Sequence, residues 1–421
     1  MLTPTTPQAQ LLGDDLILKT VASHDDVERL DAFNAGIHGP SVTSFTRELT
    51  LHHPNTRPEH WLYIEDSATG QVVSSLALIP WTWQYEGVTL RAGEMGIVGT
   101  AREYRRRGLI HALDRHFKTL LRDGEYDLSH IQGIPYFYRQ FGYDYAIPLE
   151  RGWRLEPHQI PDAAGSRYRF RLATVDDIPV LAHLYDQAAG ALSISAMRNE
   201  AIWRYLLEHT PKTDTAREFW LVEDGDGAPV GYWVIELHGF GTGLNICETS
   251  TLPQPLGAEI VPFLKQLAAQ RAKPYIRFNL PARSTLIQVA RAWGAQDLGT
   301  YAWQIHIPDI PRLLRKLAPV LERRIAASPF ANLTQDVVLS FYRRTVMLRF
   351  SKGSLVEVEE ADPGEGCDIQ IPPDVFTPLV LGYRDREELA RAHHDLSIDG
   401  QACYLIDTLF PKVPSFIYTI Y

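Results

Sequence analysis

The sequence predicts a mixed α/β (α+β) protein in which two copies of one sheet-and-helix unit stand in tandem, with a third α+β domain behind them. Three observations carry this reading. A strand-like run at 93–100 breaks into a basic glycine turn, Arg105-Arg106-Arg107-Gly108, and reopens as an amphipathic helix. The pattern of the first 80 residues returns between 169 and 237. Beyond about Ile307 a different order of helices and strands begins.

In chain order, Leu16-Ile-Leu-Lys-Thr20 reads as a strand, and Asp25-Asp26 opens a helix through Val27, Leu30 and Phe33. The runs 59–66 and 72–79, joined by a short turn, read as a hairpin. After Gly108, Leu109, Leu113, Phe117 and Leu120 recur at helical spacing, Lys118 and Arg122 fall in the last turn, and Gly124 ends the helix. The second copy repeats this with a strand at 169–173, Asp176-Asp177, a helix through Ile178, Leu181 and Leu184, and a hairpin of 218–224 with 230–237. A Pro/Ala/Gly stretch at 157–166 reads as the linker. The copies differ in chemistry. Where the first has arginines, the second has Leu252-Pro-Gln-Pro-Leu-Gly257, without a cation, before a helix through Ile260, Phe263, Leu264 and Leu267, so this turn is not expected to hold a diphosphate. Arg291-Ala-Trp-Gly-Ala295 echoes Gln140-Phe-Gly-Tyr143, as duplication followed by loss of one site would leave it, and the glycine turn at 239–243 reads as a strand connection. The third domain reads as a basic-faced helix at 311–327, strands at 337–342, 346–350 and 355–359, a short run at 368–371, helices from Pro372 and over 385–393, and a final segment at 405–414. The expected boundaries are 1–156, 167–306 and 307–421.

Composition sets the outer limits. A chain of 421 residues with 45% hydrophobic and 22% charged residues fits two or three globular domains. A net charge of -10 argues against nonspecific nucleic-acid binding, yet leaves room for a local basic patch that takes a phosphorylated cofactor. Cys247, Cys367 and Cys403 are far apart and form no C-x-x-C pair, which predicts a reducing compartment and no metal site. No apolar run reaches membrane-spanning length, and the first residues lack the features of a secretion signal; a cytoplasmic protein without a membrane partner is expected. His38, His52, His53 and His60 read as a solvated loop region, as does His393-His394, and Asn332-Leu-Thr334 is a sequon that such a compartment would not use.

The glycine turn carries the chemistry. A helix start presents unpaired N–H groups and the positive end of the helix dipole, and three arginines beside it make a site for a pyrophosphate. No G-x-G-x-x-G and no Gly-Lys-Ser/Thr accompanies it. The Arg-x-x-Gly turn from Arg105 to Gly108 resembles instead the acetyl-CoA signature of the GNAT superfamily of N-acetyltransferases, which usually has Gly or Ala where this chain has Ile110. Further on, Tyr136-Phe-Tyr-Arg-Gln-Phe-Gly-Tyr-Asp-Tyr145 is similar to the Phe-Tyr-x-x-Phe-Gly-Tyr segment of many GNAT enzymes. With a degenerate second copy and a C-terminal domain that carries Leu-Phe-Pro and ends on an aromatic residue, the chain over nearly its whole length resembles the enhanced intracellular survival (Eis) acetyltransferases. The resemblance implies acetyl-CoA as cosubstrate and no metal, a sterol-carrier-like third domain, and a homo-oligomer, commonly a hexamer. It implies acetyl-CoA contacts from Ile97, Val98, Gly99 and Thr100, from Arg105, Arg106, Arg107, Gly108, Leu109 and Ile110, and from Gly133 and Ile134. It further implies Tyr138 as general acid and the α-carboxylate of Tyr421 as general base.

Acyl transfer makes these roles sensible. An amine attacks a thioester only when neutral, so a base must take its proton, and the leaving thiolate needs a proton donor. A thiol near pKa 8.5 and a phenol near pKa 10 exchange a proton at little cost. Tyr138 suits that role by position, whereas Tyr136, Tyr143 and Tyr145 read as packing. Glu94 is the rival base, since alternation places Glu94, Gly96, Val98 and Thr100 on one strand face; the alternative is an ion pair with an arginine or a bond to a backbone group. The apolar, aromatic tail at 415–421 is expected to dock into the first domain. Family members that acetylate aminoglycosides carry a carboxylate just before the last residue, where this chain has Ile420, which argues against those acceptors. Trp81, Trp83 and Tyr85 either line the acceptor pocket or pack the sheet. The expected activity is acetyl transfer to a primary amine of a small molecule or a lysine side chain by direct attack in a ternary complex. The alternative is a noncatalytic carrier of an apolar ligand regulated by acyl-CoA.

Overall fold

The computed structural model describes residues 9–39, 42–162, 165–239, 241–362 and 368–421; Cys367, Phe240 and part of the expected linker, 163–164, lie outside the described residues. The first unit runs β1 (Ala9–Gly13), β2 (Leu16–Thr20), α1 (His24–His38), α2 (Phe45–His52), β3 (Trp61–Asp66), β4 (Gln71–Tyr85), β5 (Val88–Thr100), α3 (Leu109–Asp123), β6 (Leu128–Ile131) and β7 (Asp144–Leu155). Ser23 caps α1 in a reciprocal box with Asp26, its hydroxyl accepting from the Asp26 N–H, and this is the physical content of the Asp-Asp helix start. The second unit follows a related order, with one strand before its first helix, β9 between its first two helices and α7 before its last strand: β8 (Arg169–Leu172), α4 (Ile178–Gly190), β9 (Ile194–Ala196), α5 (Glu200–Glu208), β10 (Arg217–Glu223), β11 (Pro229–Glu236), β12 (Leu244–Thr249), α6 (Gln254–Gln270), β13 (Ile276–Asn279), α7 (Thr285–Ala292) and β14 (Gln296–His306).

The two units share one sheet, in the order β1-β2-β3-β4-β5-β6-β14-β7-β13-β12-β11-β10-β8, with β9 paired to β4. Each unit gives its last strand to the other. β14 pairs with β6 (Ile305 opposite His130), β7 pairs with β13 (Trp153 opposite Phe278), and β7 and β14 pair with each other. The units expected from the sequence as consecutive blocks are thus exchanged in space, because identical sheet edges can trade strands at little energetic difference.

The third region contains α8 (Ile310–Lys316), α9 (Ala318–Ala326), β15 (Gln335–Ser340), β16 (Thr345–Ser351), β17 (Ser354–Ala361), β18 (Ile369–Gln370), α10 (Pro373–Val380), α11 (Arg386–Ala392), β19 (Ser397–Ile398) and α12 (Ala402–Leu409). Its sheet has the order β17-β16-β15-β18-β19. The single helix expected over 311–327 is two helices broken at Leu317, because Pro319 in the first turn of α9 lacks the N–H that would continue the ladder. One apolar core runs from α1, β3 and β4 of the first unit, through α4 and α5, to the third region, where the Tyr85 hydroxyl donates to the Val380 carbonyl at 2.8 Å.

The tail after α12 crosses the second unit to reach the first. Ser193 N–H donates to Pro414 O at 2.7 Å, Phe416 N–H to Ile194 O at 3.2 Å, and the Arg198 guanidinium to Thr419 O at 2.6 Å. Phe416, Ile417, Tyr418 and Ile420 are all buried; each contributes about 1.5–3 kcal/mol on transfer from water. Among the described residues no helix is long and apolar enough to cross a membrane.

Candidate active site

β5 and β6 run parallel through Ala92/Leu128, Gly93/Ser129 and Glu94/His130, and there their pairing stops. β5 continues against β4 as far as Thr100, so the two parallel strands part beyond Glu94 and open a cleft. Gly93 allows the approach at its closed end, since a Cβ there would lie 2.7 Å from Leu78 and 2.8 Å from Leu121. The alternation expected for Glu94, Gly96, Val98 and Thr100 does not hold. Gly96 faces Ala77 but Gly99 faces Ser75, so β5 carries one extra residue, a bulge at which Ile97 takes φ +49°. A bulge withdraws backbone groups from the ladder, and this one lies on the wall of the cleft.

Below that wall lies the basic turn. Arg105, Arg106 and Arg107 are exposed. Arg106 (φ +65°) and Gly108 (φ +74°) are left-handed, a backbone curl that gathers N–H groups into a concave anion nest. Gly108 caps α3 without a side chain, and no acidic residue occupies the first turn, so the first N–H groups of α3 are left for a ligand. The Arg105 Nε donates to Thr100 O at 3.4 Å, and Arg107 lies over the Tyr104 ring at 5.3 Å. Among the described residues no carboxylate lies within ion-pair distance of Arg106. Ile110, in place of the usual small residue, is half-buried against the core beneath α3. Arg106→Glu is expected to weaken acetyl-CoA binding at least about 10-fold, measured by calorimetry, because it sets a like charge against a diphosphate.

Glu94 stands at the apex of the cleft, 3% exposed. Its carboxylate accepts from Trp81 Nε1 at 2.9 Å and from the Tyr421 hydroxyl at 2.7 Å. Neither the expected arginine nor a backbone group is its partner. Burial raises its pKa to about 7, against the two hydrogen bonds that favour the charged form. Burial and the Glu94 charge keep the Tyr421 phenol protonated. Beside Glu94 stands His130, fully buried among Trp81, Trp83 and Trp303 at ring distances of 5.1, 4.6 and 5.0 Å. Its Nε2 is 3.9 Å from Glu94 Oε2, neither ring nitrogen has a hydrogen-bond partner among the described residues, and burial lowers its pKa to about 3, so it is neutral. Sequence reasoning missed His130, although one polar ring in the short apolar strand after α3 was a visible signal.

Tyr138 sits in the helical turn 137–141, its ring against Gly133 at the end of β6, where a Cβ would fall 2.3 Å from Tyr138 Cδ2. Burial pushes its phenol up to about 12, so handing a proton to a thiolate whose acid lies near 8.5 costs more than the free-phenol value implies. Gly133 is held in turn by the second unit: the Tyr301 hydroxyl and Gln304 Nε2 (3.0 Å), both on β14, donate to its carbonyl. Ile134, next along, is exposed. Tyr143 packs as expected, its hydroxyl 2.7 Å from Ser129 Oγ, and Tyr145 is half-buried edge-on to Tyr301. Tyr136 is not packing: it takes φ +70° and is 76% exposed.

Tyr421 joins the three parts of the chain. Its ring lies edge-on to Phe45 and Trp81 at 5.5 and 5.8 Å, its hydroxyl meets Glu94, and its main-chain oxygen accepts from Arg217 of β10 and from Thr419 Oγ1. Trp81, Trp83 and Tyr85 lie within β4 and are buried, not beyond a hairpin; Trp81 alone touches Glu94.

The histidines divide: His38, His52 and His394 are exposed, whereas His53 and His60 are withdrawn from solvent. His53 is buried against Tyr205 with its pKa down at about 3, and His60 is held at about 4 by burial. Glu48, His52 and His209 come together, with His209 Nδ1 2.7 Å from Glu48 Oε2. The two imidazoles are stacked 4.2 Å apart at 18°, so their in-plane lone pairs do not converge on one ion, and Lys212 is 3.9 Å from the same carboxylate.

Residues 36–146 match a family model described as an acetyltransferase (GNAT) domain. The fold recurs over 96% of this chain in a GCN5-related N-acetyltransferase from Anabaena variabilis (18% identity, 99% of that chain, TM-score 0.69). It recurs over 96% of this chain in a conserved protein of unknown function from Enterococcus faecalis described as a probable N-acyltransferase (15% identity, 99% of that chain, TM-score 0.72). It is found also in Eis1 from Mycobacterium abscessus, at 17% identity over 95% of this chain and 98% of that one, with TM-score 0.62. No curated protein sequence matches the chain. The splayed strands, bulge and basic turn all lie inside residues 36–146, the segment that matches the acetyltransferase (GNAT) domain.

Proposed function

We propose that the chain transfers the acetyl group of acetyl-CoA to a primary amine, of a small molecule or a lysine side chain, by direct attack in a ternary complex. The single observation that carries this reading is the buried Glu94 carboxylate, poised at about 7 at the point where β5 and β6 part. The residues fit the cosubstrate. The uncapped start of α3 with Arg105, Arg106 and Arg107 suits its diphosphate, and the unpaired edges beyond Glu94 and His130 suit its amide-bearing arm. When bound, it supplies the activated acetyl thioester. Glu94 takes the proton of the attacking amine, a backbone N–H freed by the bulge at Ile97 and Val98 faces the thioester carbonyl, and the Tyr138 phenol gives its proton to the departing sulfur. The Tyr421 α-carboxylate is the second candidate base. The Arg217 guanidinium and the Thr419 hydroxyl already occupy its oxygen, which favours Glu94. In this reading the second unit is a GNAT copy whose cofactor turn is lost, the third region is sterol-carrier-like, and the whole is Eis-like in plan.

Tyr138→Phe is expected to lower kcat about 10- to 100-fold with the acetyl-CoA Kd unchanged, since only proton donation is removed. Equal turnover with phenylalanine would remove Tyr138 from the mechanism. Tyr421→Phe takes away a donor that stabilises ionised Glu94, so the rise of kcat with pH should shift to higher pH; a shift to lower pH would contradict Glu94 as the base. A screen of primary amines with thiol release as readout tests the activity itself, and the aromatic walls of Trp81 and Phe45 together with Arg217 favour acceptors of low positive charge over polycations.

A further inference from the structure

A cavity of about 560 Å³ lies at the seam between the far end of α3 and the third region. Five cations line it: Lys118 and Arg122 from α3, and Arg312, Arg315 and Arg344 from the other side. Asp309 and Glu360 also line it, and three of the cations already have carboxylate partners: Lys118 with Asp114 at 2.9 Å, Arg122 with Asp123 at 3.1 Å and Arg312 with Asp127 at 3.7 Å. Asp309 is already engaged, accepting from the Arg312 N–H at 2.8 Å as the cap of α8. Arg344 lies over the Phe341 ring, and among the described residues no carboxylate comes within ion-pair distance of it. Arg312 is anchored through the Tyr126 carbonyl, yet its buried Nε has no hydrogen-bond partner among the described residues. The half-buried His306 ring lies in the same field: desolvation lowers its pKa to about 4, the charges of Lys118 and Arg344 add to that lowering, and its hydrogen bond with the Gly142 carbonyl opposes it.

Among the described residues Arg315 and Arg344 have no carboxylate within ion-pair distance, and two such guanidiniums gathered beside three paired cations favour the entry of an anion. Guanidinium forks match phosphate oxygens, and an enclosure of this size admits a small molecule but not a nucleic-acid strand. We infer that this cavity is a second anion site, taking a small, multiply charged phosphate compound such as a polyphosphate or a bisphosphorylated metabolite. It stands apart from the acetyl-CoA cradle, since α3 separates Gly108 from Arg122 by about 20 Å.

Inorganic tripolyphosphate, titrated by calorimetry into the full chain and into its Arg106→Glu variant, tests the inference. One site per chain is expected in the Arg106→Glu variant, at least 10-fold weaker after adding Arg122→Glu and Arg344→Glu, and at least 10-fold tighter for tripolyphosphate than for orthophosphate. Both added positions are exposed, and unchanged acetyl-CoA affinity of the Arg122→Glu/Arg344→Glu chain shows that it is folded. Binding abolished by Arg106→Glu alone, unchanged by the two added substitutions, or equal for the two phosphates would overturn the inference. Failure of acetyl-CoA to bind the unsubstituted chain would instead count against the proposed function.

Discussion

Glu94→Gln is expected to lower kcat for acetyl transfer by about 10²- to 10⁴-fold, the range of a positioned general base, while the acetyl-CoA Kd stays within about 2-fold. The side chains are nearly isosteric, and the cleft walls and basic turn do not involve the carboxylate, so binding is preserved while proton abstraction is lost. Glu94 works as a base only when ionised, so in the parent chain kcat should rise with pH through about 7. That rise should be missing from the residual activity of the variant. A loss spread equally over kcat and acetyl-CoA affinity would mean that the substitution deforms the cleft instead.

The same carboxylate gives a stability signature with a definite sign. Its folded pKa, about 7, lies above the ordinary carboxylate value of 4.5, so the folded chain holds a proton there that the unfolded chain has released. Stability contributed by this group is therefore fully present below pH 4.5 and is lost as pH rises towards 7. Glu94→Gln cannot titrate, and relative to the parent chain it should gain stability between pH 5 and pH 8. Thermal unfolding of both chains at the two pH values reads this directly, and an unchanged difference would place the Glu94 pKa near its ordinary value.

The cofactor half of the site was legible in the sequence because it is local. Arg105 to Gly108 and the start of α3 are contiguous, and their spacing alone fixes a helix N-terminus rich in cations. The apex was legible only in part: Glu94, Tyr421 and the docked tail were expected, but not His130 or Trp303, nor how four distant pieces meet. Glu94 lies on β5, His130 on β6, Trp303 on β14 and Tyr421 at the end of the sequence, and only the strand exchange and the docked tail bring them together. Alternation failed at Val98 for a physical reason: a bulge adds one residue without leaving a mark in composition. His53, next to the exposed His52, looked solvated because the sequence did not show α2 closing over α5, where Tyr205 meets its ring edge-on.

Arg198→Ala is expected to destabilise the chain by about 3–5 kcal/mol, the cost of leaving one member of a buried ion pair unpaired. The Arg198 side chain has no exposed surface and binds Glu248 in bidentate fashion at 2.7 and 2.6 Å, with the Tyr232 hydroxyl donating to the same carboxylate at 2.7 Å. Its guanidinium lies over the Tyr185 and Trp203 rings at 4.3 and 4.7 Å and holds the Thr419 carbonyl. Alanine would therefore strand a buried carboxylate and release the tail two residues before the side chain that hydrogen-bonds Glu94. Denaturant unfolding reads the first effect and kcat the second. Arg198→Met with Glu248→Leu should recover most of the stability, because the cost lies in the orphaned charge and not in the pair's net attraction. It should not recover kcat, since the donor to Thr419 is still missing. Stability and turnover returning together would show that the tail docks through its apolar residues alone; both staying low would show that the Arg198–Glu248 pair also fixes the packing of α5 against β12.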